Sequence, residues 1–316
     1  MLIDKNLNER IERKKRELDA LRPLPKSALE RLRHQFAIEL AYNSNAIEGN
    51  TLTLRETQMV IEEGITIKGK PLREHFEAIN HQKAFELLES LVTKKMQVTE
   101  DVIREVHGLV LSGIDDENAG RYRRINVRIL GAVKSPPRFE KVSRLMKEFV
   151  DYVTSNPDKL NAVEIAAMIH YRMVEIHPFT DGNGRCSRLI MNLWLMRHGY
   201  PVTMVLKVDR KRYYDRLKKA DLGNIKPFMD FIGRNVERSL DMYLDAFKSG
   251  PEYLTLAEAA KGTPYTQEYL SLLARKGRIE AVKIGRNWHI KKEAIQKYTK
   301  TKSSRAGWKQ NLRRGR

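Results

Sequence analysis

From Lys5 to Phe247 the apolar residues recur three or four apart, with one interruption, and that spacing permits little except a set of packed helices. The residues at the segment ends agree. "RPLPKS" breaks the first stretch, and a second helix runs from Ser27 to Gly49, where glycine caps it. Thr53 and Glu56 stand at capping-box spacing, and Gly64 ends the helix they start. Further helices are predicted over Leu72–Leu91, Glu100–Leu111, Lys141–Val153, Ala162–Glu175, Arg210–Ala220 and Ile225–Phe247. The interruption is "RYRRINVRILGAVKSPPR", where Ile125, Val127 and Ile129 alternate with polar residues like a strand. Gly131 would turn that strand into a hairpin, and Pro136-Pro137 forbids a central strand after it. The main body is read as mostly α with one short hairpin.

Within it, "HPFTDGNGR" at 177–185 feeds another helix, "RCSRLIMNLWLMRHG", which ends at Gly199. A Gly-Asn-Gly turn allows backbone conformations that other side chains resist. It delivers the unpaired N–H groups of a helix N-terminus, where the dipole favours an anion. His177 can serve as a general base near neutral pH. Asp181 is a hard oxygen ligand suited to a magnesium ion that also touches phosphates. Gly182, Asn183 and Gly184 let N–H groups converge on phosphate oxygens, and Arg185 and Arg188, on neighbouring helical positions, can bind further ones. These residues describe a phosphoryl or nucleotidyl transfer site. The chain has no GxxxxGK(S/T) pattern, so it is no ordinary P-loop enzyme.

The same residues resemble the signature of the Fic family, HPFx(D/E)GNGRxxR, at every fixed position from His177 to Arg188. Family members typically transfer AMP from ATP to a protein hydroxyl. The resemblance implies His177 as base, Asp181 as magnesium ligand, an anion hole at Gly182, Asn183 and Gly184, and phosphate contacts from Arg185 and Arg188. Relatives that phosphorylate usually alter the GNGR portion, which is intact here. The upstream hairpin resembles the family's flap, which holds a target segment by strand addition; a plain structural hairpin fits the alternation equally. Tyr213 and Tyr214 resemble tyrosines that border the nucleotide base, or else are ordinary core and surface aromatics. Cys186 occupies a variable motif position and reads as a small helix residue.

"SNAIEGN" carries a second resemblance. Ser44, Glu48 and Gly49 fit the family's inhibitory pattern, (S/T)xxxE(G/N), in which the glutamate pairs with the second motif arginine, here Arg188. An arginine held by a carboxylate cannot also orient the γ-phosphate. The glutamate could instead orient a water that removes AMP from a modified protein.

"KSGPEY" at 248–253 marks a boundary. Beyond it come a Thr255/Glu258 capping box with a short helix, a turn at "GTPYT" and a helix over "QEYLSLLARKG". Two strands around Gly285-Arg286-Asn287 and a final helix complete the order. That order resembles the winged helix-turn-helix of the excisionase and MerR type. It implies that the helix of Gln267 and Arg275 enters the DNA major groove, with Lys283 and Arg286 of the wing on phosphates. From Pro251 onward sixteen lysines and arginines face five acidic residues, more than half of the chain's net charge of +19. Such asymmetry favours double-stranded DNA as a partner, with a packing or protein-binding module as the other reading.

The domain expectation is thus an N-terminal helical region with the inhibitory motif (1–95), a Fic catalytic core (96–248), a winged helix-turn-helix (249–299) and a basic disordered tail (300–316). No apolar run reaches the roughly 18 residues of a membrane span, and "MLIDKNLNERIERKK" has no signal core, which points to a cytoplasmic protein. A single cysteine excludes an internal disulfide. The expected function is autoinhibited AMP transfer from ATP to a target protein, with magnesium, beside a DNA-binding module. The alternatives are a DNA-binding regulator whose Fic site is regulatory or idle, and an AMP-removing enzyme.

Overall fold

The computed structural model describes residues 2–24, 26–129, 132–248, 253–261, 263–284, 287–291 and 293–299. Gly131, the 249–252 segment of the expected boundary, Gly285, Arg286 and the 300–316 tail lie outside the described residues. Two compact units result, one of residues 1–22 and 33–243, the other of 23–32 and 244–316.

Among the described residues up to 248, ten helices of four or more residues predominate: α1 (Lys5–Ala20), α2 (Lys26–Ile47), α3 (Leu54–Glu63), α4 (Leu72–Thr93), α5 (Glu100–Leu111), α6 (Val142–Ser155), α7 (Ala162–Ile176), α8 (Asn183–Arg197), α9 (Arg210–Asp221) and α10 (Lys226–Lys248). Their ends follow the capping chemistry. Thr53 and Glu56 form a reciprocal capping box on α3, and Gly64, at φ 66°, closes it in the left-handed conformation. Gly49, at φ 108°, stops the chain from continuing α2. The core of this unit is the packing of α7 on α8 with α4, α5 and α6 around them. Phe179 and Cys186, both within the motif segment, are fully buried in it, so the motif is built into the core. Burial also pushes the Cys186 thiol well above its ordinary value, which leaves a small apolar group and no nucleophile.

The hairpin expected from Ile125 to Pro137 is not formed: no strand pairs among the described residues of 121–138, which run as bends and extended backbone. The alternating pattern is overridden by one side chain. Arg123, 3% exposed, donates to the carbonyls of His177 (2.8 Å), Ile125 (2.9 Å) and Pro137 (2.5 Å), taking acceptors that a ladder would have used. Pro136 and Pro137 offer no N–H in return.

In the second unit, β1 (Tyr253–Thr255) leads into α11 (Leu256–Lys261), and α12 (Gln267–Arg275) precedes β2 (Ala281–Ile284) and β3 (Asn287–Lys291). A last helix, α13, covers 293–299. The strands form an antiparallel sheet in the order β1-β3-β2. The Thr255/Glu258 capping pair starts α11 as expected, whereas β1 had no signature of its own. Leu256, Leu270, Leu273, Ile279, Ile290 and Ile295 form a small separate core.

Candidate active site

The site begins where α7 stops. His177 ends that helix with φ 51° and ψ 59°, and its N–H reaches back to Met173 O at 2.9 Å. The next residues are pinned by two reciprocal devices. Arg123 grips the His177 carbonyl by its side chain, and its own N–H donates to Pro178 O at 2.9 Å. Asn183 closes the turn with its amide, accepting from Phe179 N (3.0 Å) and donating to Phe179 O (2.9 Å). Asn183 therefore offers an anion its backbone rather than its side chain. Gly182 heads α8 at φ 73° with no side-chain cap, so the first-turn N–H groups have no intrahelical acceptor. A Cβ at Gly182 would meet Val110 at 3.2 Å and the His107 ring at 3.4 Å, so both backbone and space require glycine.

Among the described residues, the His177 ring is engaged through one nitrogen only. Its Nδ1 faces Val174 O at 3.3 Å, which favours the hydrogen on that nitrogen and leaves the Nε2 lone pair open. Burial, aided by the Arg123 charge, holds its pKa below the ordinary histidine value, so the ring is neutral at pH 7. Burial would raise Asp181, but Arg185, the Gly182 N–H and Arg73 together hold it below the ordinary carboxylate range. Gly182 N donates to it at 2.6 Å, Arg185 Nη2 lies 3.3 Å away, and Arg73 Nη2 pairs with its other oxygen.

Arg185 and Arg188 are each 2% exposed. Arg185 Nη1 lies 3.1 Å from Glu77 Oε1. Arg188 donates to Ser44 Oγ (2.9 Å) and Ser44 O (2.8 Å), and to Glu48 Oε1 at 2.8 Å. Its Nη1 is buried without a partner. The Glu48 carboxylate also lies against Gly184: a methyl built there would collide with Oε1 and stand 3.2 Å from Arg188 Nη1. Residues 140 positions apart in the chain thus meet over the turn.

The end of α2 is held from both sides. Asn45 Nδ2 donates to Glu77 O (3.1 Å) and Asn50 Nδ2 to Glu77 Oε2 (2.9 Å). Opposite, Arg210 Nε donates to Ile47 O (2.7 Å) and Lys207 N to Asn43 Oδ1 (2.9 Å).

A cavity of about 730 Å³ adjoins the site, lined by Tyr214, Leu217 and Asp221 of α9, Val174 and Ile176 of α7, and Pro136-Pro137. Tyr214 bridges the two regions, its hydroxyl pushed up by burial and by the Glu48 charge. Tyr213 does not face this cavity. It is 1% exposed in the core, with its hydroxyl 3.3 Å from His170 Nε2, so of the two tyrosines only Tyr214 remains beside a ligand space.

Several site residues gave no signal in the motif. Arg73, Glu77 and His81 stand four apart on one face of α4 and all turn toward it. His81 is buried, neither ring nitrogen has a hydrogen-bond partner among the described residues, and burial beside Arg188 and Arg185 pushes it down to about 3. His107 accepts from Gly120 N and meets Asp181 O at 3.0 Å while stacking on Phe179 at 3.5 Å. The four-residue spacing on α4 was the one readable clue.

The Fic/DOC family model matches residues 97–195, which hold the turn and both helices that flank it. Over 244 residues the chain is 38% identical to a protein adenylyltransferase Fic of Nematostella vectensis, covering 77% of this chain and 56% of that one. A Fic domain containing signaling protein of Bacteroides thetaiotaomicron superposes with a TM-score of 0.71 at 31% identity, over 76% of this chain and 97% of the other. The chain belongs to the Fic family. C. elegans Fic-1 agrees, with a TM-score of 0.70 and 34% identity over 77% of this Fic chain and 73% of its own. The chain spans about half the length of the curated Fic relatives it matches.

In the second unit, Gln267 and Arg275 lie exposed at the two ends of α12. The Lys283 side chain and Arg286 fall outside the described residues. Among the described residues no helix is long and apolar enough to cross a membrane.

Proposed function

We propose that this Fic protein transfers AMP from ATP to a hydroxyl side chain of a protein, its own chain included, and that Glu48 restrains the reaction. The observation that carries this reading is the open Nε2 of a neutral His177 beside an uncapped helix N-terminus and two arginines. In the reaction the hydroxyl oxygen attacks the α-phosphorus, and the bond to the β-phosphate oxygen breaks. Pyrophosphate leaves, and the hydroxyl proton passes to His177 Nε2. The first-turn N–H groups of α8, with Arg185 and Arg188, stabilise the growing phosphate charge. The adjoining cavity receives the base against Tyr214.

Magnesium fits the donor set. It is usually held by one or two carboxylates and completed by phosphates and water. Asp181 is a single ionised carboxylate on the anion turn, with its side chain 45% exposed. Asp181 would hold the ion, which would supply positive charge to the phosphates. The other partners of Asp181, Arg73 and Arg185, would shift toward phosphate oxygens.

Glu48 supports the restraint by occupying Arg188 and crowding Gly184 at once. The same carboxylate, a third exposed beside the turn, is also placed to orient a water for AMP removal. The second unit has the helix, hairpin and helix order of a winged helix-turn-helix, and its charge excess favours duplex DNA. The test is incubation of the full chain with labelled ATP, magnesium and host lysate. Label should appear in protein bands with wild type and be absent with His177→Ala. Equal labelling by both would sink the mechanism.

A further inference from the structure

A second concavity, of about 650 Å³, lies along α9 and the first half of α10, and nothing in the AMP-transfer reading uses it. Arg212, Arg216, Lys226, Arg234 and Arg238 line it, against only two carboxylates. Both carboxylates are engaged. Asp209 lies 3.1 Å from Arg212 and 3.6 Å from Arg238. Asp230 lies 3.3 Å from Lys226 and accepts from Asp4 N at 2.7 Å. No ion pair reaches Arg216 or Arg234 among the described residues.

Asn235 indicates what chemistry is missing. It is 1% exposed and lines the same concavity. Its Oδ1 accepts from Arg238 Nη2. Its Nδ2 is buried with no acceptor among the described residues. A buried donor is normally paired, and this one lies on a wall shared with the Arg216 and Arg234 guanidinium forks. Pro227 and Phe231 add surface with no side-chain acceptor. An occupant matching this wall would bring several acceptor oxygens and negative charge. The volume is that of a small-molecule site.

We propose that this pocket binds an oligophosphate group carried by a small molecule. Arg216 and Arg234 would take the charged oxygens as forks, and Asn235 Nδ2 would donate to one of them. The probe is inorganic tripolyphosphate, titrated into the full chain by calorimetry at constant ionic strength. Three proteins are compared with wild type: Arg216→Gln with Arg234→Gln, Asn235→Asp, and Arg185→Gln, which removes a phosphate contact at the catalytic turn. Both pocket variants should weaken binding by about tenfold or more, since charge-assisted contacts are lost or an acceptor replaces the donor. Arg185→Gln should keep it. Thermal melts of the arginine pair, whose side chains are at the surface, separate lost binding from lost fold. Affinity retained in folded pocket variants, or abolished by Arg185→Gln alone, overturns the proposal. Binding of duplex DNA through Arg216 and Arg234 with none of tripolyphosphate overturns it too, making this face a nucleic-acid track.

Discussion

His177, the proposed base, sits in a backbone conformation that an L-residue resists. At φ 51° it costs about 1–2 kcal/mol relative to a helical geometry, offset by the Arg123 and Met173 contacts that hold it. His177→Ala keeps those backbone contacts and removes only the ring, so AMP transfer should fall by about 100-fold or more while ATP binding persists. Stopped-time labelling and nucleotide titration read the two effects separately. Its pH profile follows from burial. The ring's folded pKa lies below the ordinary 6.5, so the base stays unprotonated until the pH drops beneath that value. The acid limb of kcat/KM should therefore be centred below pH 6.5, and a limb above it would contradict the assignment. Gly182→Ala is the companion test. A methyl at φ 73°, pressed on Val110, should lower stability by about 1–2 kcal/mol and disorder the anion turn, seen as a lower urea midpoint with loss of transfer.

At the scale of elements, the proposed brake rests on the meeting of the α2 end with the α8 start. Glu48→Gly should raise labelling well above wild type, because Arg188 regains a free face for phosphate. It should also lower stability by on the order of 1 kcal/mol, since a buried guanidinium loses a partly solvated partner but keeps Ser44. Arg188→Ala should show no gain, and the double variant should match it, the non-additivity of two groups acting through one contact. Additive effects would break the coupling. Loss of AMP removal in Glu48→Gly would favour the hydrolytic role instead. Much of this scale was legible. Helix starts and stops are written in local chemistry, as in Thr53 with Glu56 and in Gly49, Gly64 and Gly199. The motif residues were legible for the same reason, being contiguous. What failed was non-local. The alternation of Ile125, Val127 and Ile129 gave a strand signal, but Arg123 captured the carbonyls from outside that pattern. Arg73, Glu77 and His107 act across 70 or more residues to Asp181 and Arg185, a distance no periodicity encodes. β1 pairs with β3 almost forty residues on, for the same reason invisible.

At the scale of the whole molecule, charge and buried rings set the response to solvent. Over half of the +19 excess falls after Pro251, so duplex DNA should bind the full chain with an affinity that drops steeply with salt. Gln267→Ala with Arg275→Ala on α12 should weaken it; salt-insensitive or absent binding at low salt would favour a protein-binding module. Buried histidines govern acid stability. His81 and His170 are both pushed down to about 3, by burial first and then by the Arg188 charge. Below pH 6.5 the unfolded chain takes up protons that the native rings refuse, so stability falls as pH drops from 6.5 toward 3. The two together remove up to roughly 4 kcal/mol between pH 7 and pH 5. Urea unfolding at those two pH values checks this, and a flat response would contradict it.

Glu77 stands on both sides of the α2–α8 meeting, with one oxygen toward Arg185 and the other on Asn50, while its backbone carbonyl holds Asn45. A phosphate bound at Arg185, as proposed, would compete for the first oxygen and so tug on the loop that carries Glu48. Linkage then makes the traffic two-way: whatever factor nucleotide gains by loosening that loop, a ligand that loosens the loop must return to nucleotide. Substrate and release signal would each report on the other. Amide exchange at Asn45–Asn50 should quicken when ATP is added, before any target protein is present.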